Sequence, residues 1–160
     1  MPYLIFKTIH LVAVVMFLGN ITTGIFWKEH ADRSRDPRII AHMIAGISAS
    51  DRIFTVPGVF LILLAGVGTA MSGHLPILRT GWILWSIVLF SLSGVAFMTQ
   101  VAPMQRKMTA LMRAGAESGS PDWNAYHAMS RAWALWGAIA LLAPLGAMVL
   151  MVLKPSLPSF

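Results

Sequence analysis

The chain has 160 residues, of which 57% are hydrophobic and only 11% are charged, and it contains no cysteine. A soluble domain carries about a quarter charged residues, so too few polar groups remain here to cover a water-facing surface. The lack of cysteine excludes a disulfide framework, a thiolate metal site and a thiol nucleophile. The net charge of +6 does not indicate nucleic-acid binding, because the basic residues are sparse and flank apolar segments, as they do in membrane proteins.

Four apolar segments are each long enough to cross the hydrocarbon core of a bilayer, which takes about 20 residues in a helix. They cover residues 3–27, 53–71, 81–101 and 132–153, to within a few positions. The first is longer than the apolar core of a signal peptide, and residues 19–23 do not form a small-residue cleavage site, so we expect a retained helix. The sequence therefore predicts an all-α fold, a four-transmembrane-helix bundle that forms a single integral membrane domain over residues 1–160.

The basic residues are divided unequally between the two sides of this predicted bundle. One side holds Lys7, Arg79 and Lys154. The other holds Lys28, Arg33, Arg35, Arg38, Arg52, Arg106, Lys107, Arg113 and Arg131. Because cytoplasmic segments are enriched in Lys and Arg, we expect the second side to face the cytoplasm. Both termini would then lie outside, in a bacterial-type inner (plasma) membrane.

Helix-start signals extend the predicted helices on the cytoplasmic side. Asp36-Pro37 is typical of an N-cap followed by proline at the first helical position, and Ser120-Pro121-Asp122 carries a similar signal. The outer link over residues 72–80 is short. The sequence thus predicts two helical hairpins that extend on the cytoplasmic side and are joined outside. Prolines inside the helical patterns are expected to kink them, at Pro57, Pro103 and Pro144.

His10 is the residue that says most about function. It lies about two turns into the first helix, where ionisable residues are costly and usually face the bundle interior. It could be an axial ligand of haem iron or a proton-relay group. It could equally be a neutral histidine that is hydrogen-bonded to a neighbouring helix. Residue type alone leaves both interpretations open.

A haem could take a second axial group at a similar depth. Four candidates lie at that end of the bundle: Ser86 on the third helix, Met148 and Met151 on the fourth, and His74 in the outer loop. Serine is a poor iron ligand, and methionine is more often packing material. A five-coordinate or water-bound iron is also open. Lys154 and Arg79 on the outer side could pair with haem propionates or with lipid phosphates.

Asp51 opens the second predicted span next to Arg52. We expect an interfacial ion pair with Arg131 or near Arg52, which would fix the register and tilt of the helix. A proton pathway is the sharper alternative for this carboxylate.

Two further groups on the cytoplasmic extensions could bind metal. His30, His42 and His127 could hold a divalent cation, although their spacing matches no metal motif and solvated histidines are the other interpretation. Met104, Met108 and Met112 recur every four residues. Such a stripe could bind Cu(I), but it is more often packing surface.

Four short motifs carry a resemblance that extends over nearly the whole chain. They are Lys7-Thr8-Ile9-His10-Leu11-Val12 with Gly19, Phe54-Thr55-Val56-Pro57-Gly58 with Gly66, Gly81-Trp82, and Leu150-Met151-Val152-Leu153-Lys154-Pro155. In order and spacing the chain resembles an uncharacterised group of predicted integral membrane proteins in the superfamily of HemJ and the copper-resistance CopD domain.

The resemblance implies four helices and, as in HemJ, haem b at the first-helix histidine, which is His10 here. HemJ proteins are protoporphyrinogen oxidases and place a lysine in the third helix shortly after the Gly-Trp pair. Ser86 holds that place in this chain, so the resemblance supports a redox or haem-handling role more than that oxidoreductase reaction.

Three functions therefore stand side by side. The first is a membrane-embedded haem b protein that works with a membrane redox partner. The second is a non-enzymatic scaffold or accessory subunit, in which His10 and Asn20 are interhelical hydrogen-bonding groups. The third is a small ion or metal permease, which would need to be a homo-oligomer because four helices leave little room for a pore. All three have the lipid bilayer as their surroundings.

Overall fold

The computed structural model describes residues 1–159, which contain four long helices and no strand. These helices are α1 (Pro2–Ser34), α2 (Pro37–Ser72), α3 (Gly81–Ser118) and α4 (Trp123–Leu153). All four are long and apolar enough to cross a membrane. The predicted all-α fold with four spanning helices is confirmed, and each helix extends beyond the span that hydropathy alone marks out.

The helix starts follow the capping signals in the sequence. The Asp36 side chain accepts a hydrogen bond from the backbone N–H of Arg38 at 2.8 Å, and Pro37 occupies the first helical position. The Asp122 side chain accepts one from the N–H of Ala125 at 2.9 Å. Each cap satisfies a backbone donor that the first turn leaves without a partner. These starts confirm the predicted helical extensions.

Two helices change their winding near the middle of the bundle. Asp51–Thr55 in α2 and Phe97–Val101 in α3 are π-helical, and each stands just before a proline, Pro57 or Pro103. A proline removes a backbone donor and clashes with the carbonyl four residues earlier, and a wider turn relieves that clash. The disturbance expected at these two prolines is therefore a π segment. In α4, Pro144 lies inside a continuous α-helix.

The chain forms two helical hairpins, α1–α2 and α3–α4, which are joined by residues 73–80. We call the half of the bundle that holds the turns at 35–36 and 119–122 the basic half. We call the half that holds both termini the termini half. Because α2 has 36 residues, it is about 54 Å long, whereas the hydrocarbon core is about 30 Å thick. The helices must extend into water, and the charges place that extension in the basic half; the prediction that this half is cytoplasmic stays a prediction.

Helix pairing differs between the halves. In the termini half, α1 packs on Val56–Ser72 and α4 packs on Gly81–Ala96. No Cα atom of Val56–Ser72 lies within 8 Å of a Cα atom of Gly81–Ala96. In the basic half, Pro37–Ser50 packs against Ala102–Ser118, and one core takes side chains from all four helices. Its central residues are Ala31, Ile40, Ile44, Met108, Met112 and Tyr126.

Candidate functional site

Six polar side chains meet near the two π segments, and we call them the polar centre. They are Asn20, Ser48, Ser50, Asp51, Thr55 and Gln105. Asp51, at the middle, is only 7% exposed, and Thr55 and Gln105 are each 3% exposed. A buried carboxylate must be hydrogen-bonded or paired, because its desolvation is costly. Its partners therefore decide what it can do.

Neutral donors from three helices surround the Asp51 carboxylate. Its Oδ1 accepts hydrogen bonds from Asn20 Nδ2 at 3.1 Å and from the Thr55 hydroxyl at 3.0 Å. Its Oδ2 accepts one from Gln105 Nε2 at 3.1 Å. Behind these donors, the Ser50 hydroxyl donates to Asn20 Oδ1, and the Ser48 hydroxyl lies 3.1 Å from Gln105 Oε1 and 3.0 Å from the carbonyl oxygen of Ile44. The Ser50 contact orients the Asn20 amide so that its N–H group points at the carboxylate.

The predicted ion pair at Asp51 is wrong. Arg52 and Arg131 are exposed, and within residues 1–159 no salt bridge joins Asp51 to a basic side chain. Successive residues of a helix lie about 100° apart around its axis, so Arg52 points away when Asp51 points inward. Hydrogen-bonding dipoles take the place of the expected cation.

A small cavity of about 30 Å³ adjoins the polar centre. Asp51 and Gln105 line one part of it, and Trp133 of α4 lines another. Gly24 and Gly137 also line it, and their lack of side chains helps to leave the space. Trp133 is 6% exposed, and its Nε1–H has no hydrogen-bond acceptor within residues 1–159.

A second polar network lies deeper in the basic half. Lys28 is 5% exposed, and its ammonium group donates to Asp32 Oδ2 and to the Ser130 hydroxyl, both at 2.6 Å. The Tyr126 hydroxyl donates to the other oxygen of Asp32. Lys28 Nζ also lies 5.3 Å from the centroid of the Trp133 ring, within the range of a cation–π interaction. Trp133 is thus shared between this network and the cavity beside Asp51.

Tyr126 is held in its protonated form. It lies outside the apolar span that begins near residue 132, and burial together with the Asp32 carboxylate raises the pKa of its phenol well above the ordinary value. A protonated phenol can donate to Asp32 throughout the physiological range. This network is therefore a fixed connection between α1 and α4.

His10 lies in the interface between α1 and α2. Its Nδ1 is 2.8 Å from the backbone carbonyl oxygen of Ile62. A Cβ atom at Gly66 would lie only 3.1 Å from the His10 ring, so glycine provides the space that the imidazole occupies. The structure thereby identifies the hydrogen-bonding partner that the sequence does not reveal. When Nδ1 donates its proton, the lone pair resides on Nε2.

Four of the other residues considered for haem belong to the α3–α4 pair. The Ser86 hydroxyl lies 2.7 Å from the carbonyl oxygen of Trp82 and 3.2 Å from that of Ala147, so it is engaged in helix packing. Met148 is 41% exposed and Met151 is half-buried. Lys154 is exposed, and its ammonium lies 5.5 Å from the centroid of the Trp82 ring. The structure describes these four residues in a different interface from that of His10.

The histidines of the basic half lie apart from one another, and two of its methionines lie in the core. Within residues 1–159, no three His, Asp or Glu side chains come together in a metal-binding group. His30 stacks on Phe26 and His127 stacks on Trp123, with ring centroids 6.3 and 6.1 Å apart, while His42 lines a surface cleft. Met108 and Met112 are fully buried in the core, which agrees with the packing interpretation.

The four sequence motifs lie against one another in pairs. In the first pair, His10 packs on Gly66 and Phe17 packs on Gly58. In the second pair, Lys154 lies over Trp82, and a Cβ atom at Gly81 would lie 2.1 Å from the carbonyl oxygen of Leu157. Gly66 and Gly81 therefore have a packing reason, because a Cβ atom at Gly81 would collide with Leu157 and one at Gly66 would force the His10 ring to shift.

A family model described as predicted integral membrane protein (DUF2269) matches residues 4–155, which include nearly all of the four helices. The chain belongs to this family. The description agrees with four helices that are long enough to span a membrane. Comparison with curated proteins and with solved structures gave no match. The family model carries no link to HemJ or to the CopD domain, so that part of the resemblance stays a prediction.

Neither Gln105 nor Trp133 was singled out as a site residue from the sequence. A signal for Gln105 is present, because Val101, Gln105, Met108 and Met112 share one face of α3 at the spacing of a buried stripe. A polar residue within such a stripe needs a buried partner. No comparable signal identifies Trp133, because its role depends on how α4 lies against α1 and α2.

Proposed function

We propose that this chain is a membrane-embedded haem b-binding protein with a redox or haem-handling role, in which His10 Nε2 is an axial ligand of the iron. The observation that supports the proposal is the 2.8 Å contact between His10 Nδ1 and the Ile62 carbonyl oxygen. Metal-bound histidines commonly donate their other ring N–H to a backbone carbonyl, which fixes the tautomer and the ring orientation. The same contact would prepare Nε2 of His10 as a ligand.

The surroundings of His10 are compatible with this role. The His10 ring is half-buried, and the absence of a side chain at Gly66 leaves space for it. Bound haem would supply one-electron chemistry. Met148 or Met151 would be the candidates for a second axial position, and Lys154 would be the candidate partner of a propionate. The assignments of Met148, Met151 and Lys154 rest on the position of these residues in the termini half.

The proposal does not extend to the HemJ oxidase reaction. Ser86 holds the place of the lysine that the resemblance implies, and its hydroxyl is engaged with the carbonyl oxygens of Trp82 and Ala147. A hydroxyl in that position cannot supply the cationic group of a lysine. The proposal is therefore limited to haem binding together with a membrane redox partner. Formation of a homo-oligomer stays open.

The experiment is an absorption spectrum of the detergent-purified protein, oxidised and then reduced with dithionite, after expression with added haem. Wild type is expected to show a Soret band and reduced α and β bands. His10→Asn should lose them: the asparagine amide nitrogen lies where Nδ1 does and can still donate to Ile62, but asparagine is not a haem ligand. His127→Asn is the matched control, because His127 is an exposed histidine in the basic half, and it should keep the bands. A folded wild-type protein without haem would disprove the proposal.

A non-enzymatic scaffold or accessory subunit is the second candidate, and the same His10–Ile62 contact favours it. Polar side chains hydrogen-bond between membrane helices without any catalytic role. On this alternative the protein is colourless, and His10→Ala lowers its unfolding temperature, whereas His10→Asn, which keeps a donor for Ile62, loses less. For the small ion or metal permease, the cavity at Asp51 has a volume of only about 30 Å³, so a pore would require an oligomer.

A further inference from the structure

The two π segments of the protein contribute to one cavity. Asp51, at the start of the π segment of α2, lines it, and so do Phe97 and Val101, at the two ends of the π segment of α3. π segments are rare and are often found at functional sites, because they redirect side chains within a helix. Their convergence on a buried carboxylate marks this cavity as more than a packing defect.

Trp133 adds an independent observation. It is 6% exposed, it lines the cavity, and its Nε1–H has no acceptor within residues 1–159. A buried donor without an acceptor is unfavourable, so an acceptor in the cavity would stabilise it. The volume of about 30 Å³ is enough for a water molecule, which needs roughly 10–15 Å³ and two to four polar partners.

The chemistry of the cavity lining selects against a metal cation. The amides of Asn20 and Gln105 and the hydroxyl of Thr55 all present hydrogens to Asp51. Trp133 can only donate. A cation needs several oxygen lone pairs, and here only the carboxylate offers them without competition. A water molecule fits better, because it can accept from Trp133 and donate to Asp51.

We propose that the cavity binds a single water molecule that connects Trp133 Nε1–H to the Asp51 carboxylate, and that Asp51 and this water together form an intramembrane proton-binding site. A proton would arrive on the water as hydronium. One O–H bond of the hydronium breaks as a new O–H bond forms on the Asp51 carboxylate, and neutral water remains. The step involves no change of oxidation state.

The groups that pack around Asp51 leave its carboxylate as the proton acceptor. Asn20 of α1 and Gln105 of α3 are neutral amides, and Trp133 of α4 does not titrate. The Lys28–Asp32 pair adjoins Trp133, with Lys28 Nζ 5.3 Å from the ring centroid, and it is already internally paired at 2.6 Å. Arg52 and Arg131 are exposed. The site does not depend on haem at His10.

The test is infrared difference spectroscopy of the full chain in nanodiscs as the pH is lowered, in ordinary water and in ¹⁸O-labelled water. Wild type should develop a protonated-carboxyl C=O band and a water O–H band that shifts with ¹⁸O. Asp51→Asn should lose the C=O band. Trp133→Phe should lose the water band and move the C=O band to higher frequency, because the carboxyl group loses a hydrogen bond.

Two further variants separate hydration from misfolding. Gly137→Ala adds a methyl group to the cavity wall at a position with no atom within 4 Å, so it should remove the water band while the protein stays folded. Gly94→Ala also meets no atom within 4 Å, but Gly94 does not line the cavity, and this control should keep both bands. Trp136→Phe should keep them as well.

Two results would overturn the proposal. The first is a water band and a C=O band that remain unchanged in both Trp133→Phe and Gly137→Ala. The second is a sodium-dependent rise in the unfolding temperature of wild type, absent with potassium at equal ionic strength and absent in Asp51→Asn. That result would make the cavity a cation site.

Discussion

The basic half and the termini half are held together by different means. In the basic half, large side chains such as Ile40, Ile44 and Met112 are completely buried, and the charged residues other than the Lys28–Asp32 pair lie mostly outside, as in a water-soluble bundle. In the termini half, large side chains such as Leu64 and Val152 are about 70% exposed, and the helices meet through glycines and hydroxyl groups. The sequence of each half matches the solvent around it.

The difference follows from what drives helix association in each solvent. In water, burial of apolar surface stabilises a bundle by about 25 cal/mol per Å². In lipid that term is missing between helices, because the acyl chains are as apolar as the side chains, and close packing and hydrogen bonds remain. The polar centre lies between the basic half and the termini half, where α2 and α3 both change their winding.

The largest effect is expected at the buried ion pair of the basic half. Lys28→Met should destabilise the protein by about 4 kcal/mol, because Asp32 would be left without its cation in a mostly buried position. Reversible unfolding in bicelles measures the loss. Arg33→Met is the matched control, since Arg33 pairs with Glu29 on the same helix at the same spacing, but both side chains are more than 60% exposed. It should cost less than about 1 kcal/mol; equal losses would refute the comparison.

The next effect concerns apolar side chains in the two halves. Met112→Ala should cost about 3 kcal/mol, since it opens a cavity in a core where Met112 is 0% exposed. Leu64→Ala removes a side chain of similar size that is 70% exposed in the termini half, and it should change the unfolding free energy in bicelles by less than about 1 kcal/mol. A similar loss at both positions would mean that Leu64 packs against protein and does not face lipid.

Much of the fold could be predicted because it depends on local signals. The four apolar segments identify the helices, and Asp36-Pro37 and Ser120-Pro121-Asp122 mark two starts that the structure confirms. The prolines at 57 and 103 indicated where α2 and α3 would be disturbed. Their π form could not be predicted, because it depends on which neighbours satisfy the displaced backbone groups.

The candidate site was predicted less well, because it depends on how four helices lie around one another. Asp51 and Asn20 were identified as polar residues of interest, but the predicted arginine partner was wrong, and Gln105 was missed. Charge made Arg131 the obvious partner, whereas its exposed position on α4 rules it out. For His10 the sequence predicted an inward-facing polar group, and only the structure identifies Ile62 as its partner.

The smallest effect is expected at the hydroxyl contacts of the termini half. Ser93 is 2% exposed and donates to the carbonyl oxygen of Ala140 at 2.6 Å, which joins α3 to α4. Ser93→Ala should cost about 1 kcal/mol, because interhelical hydrogen bonds in membranes contribute only about 0.6–2 kcal/mol. Thr99→Ala is the control, since the Thr99 hydroxyl bonds only within its own helix, to Val95, and this substitution should be nearly neutral. A loss above about 3 kcal/mol at Ser93, measured in the same bicelles, would show that hydroxyl groups stabilise this half as strongly as buried side chains stabilise the other.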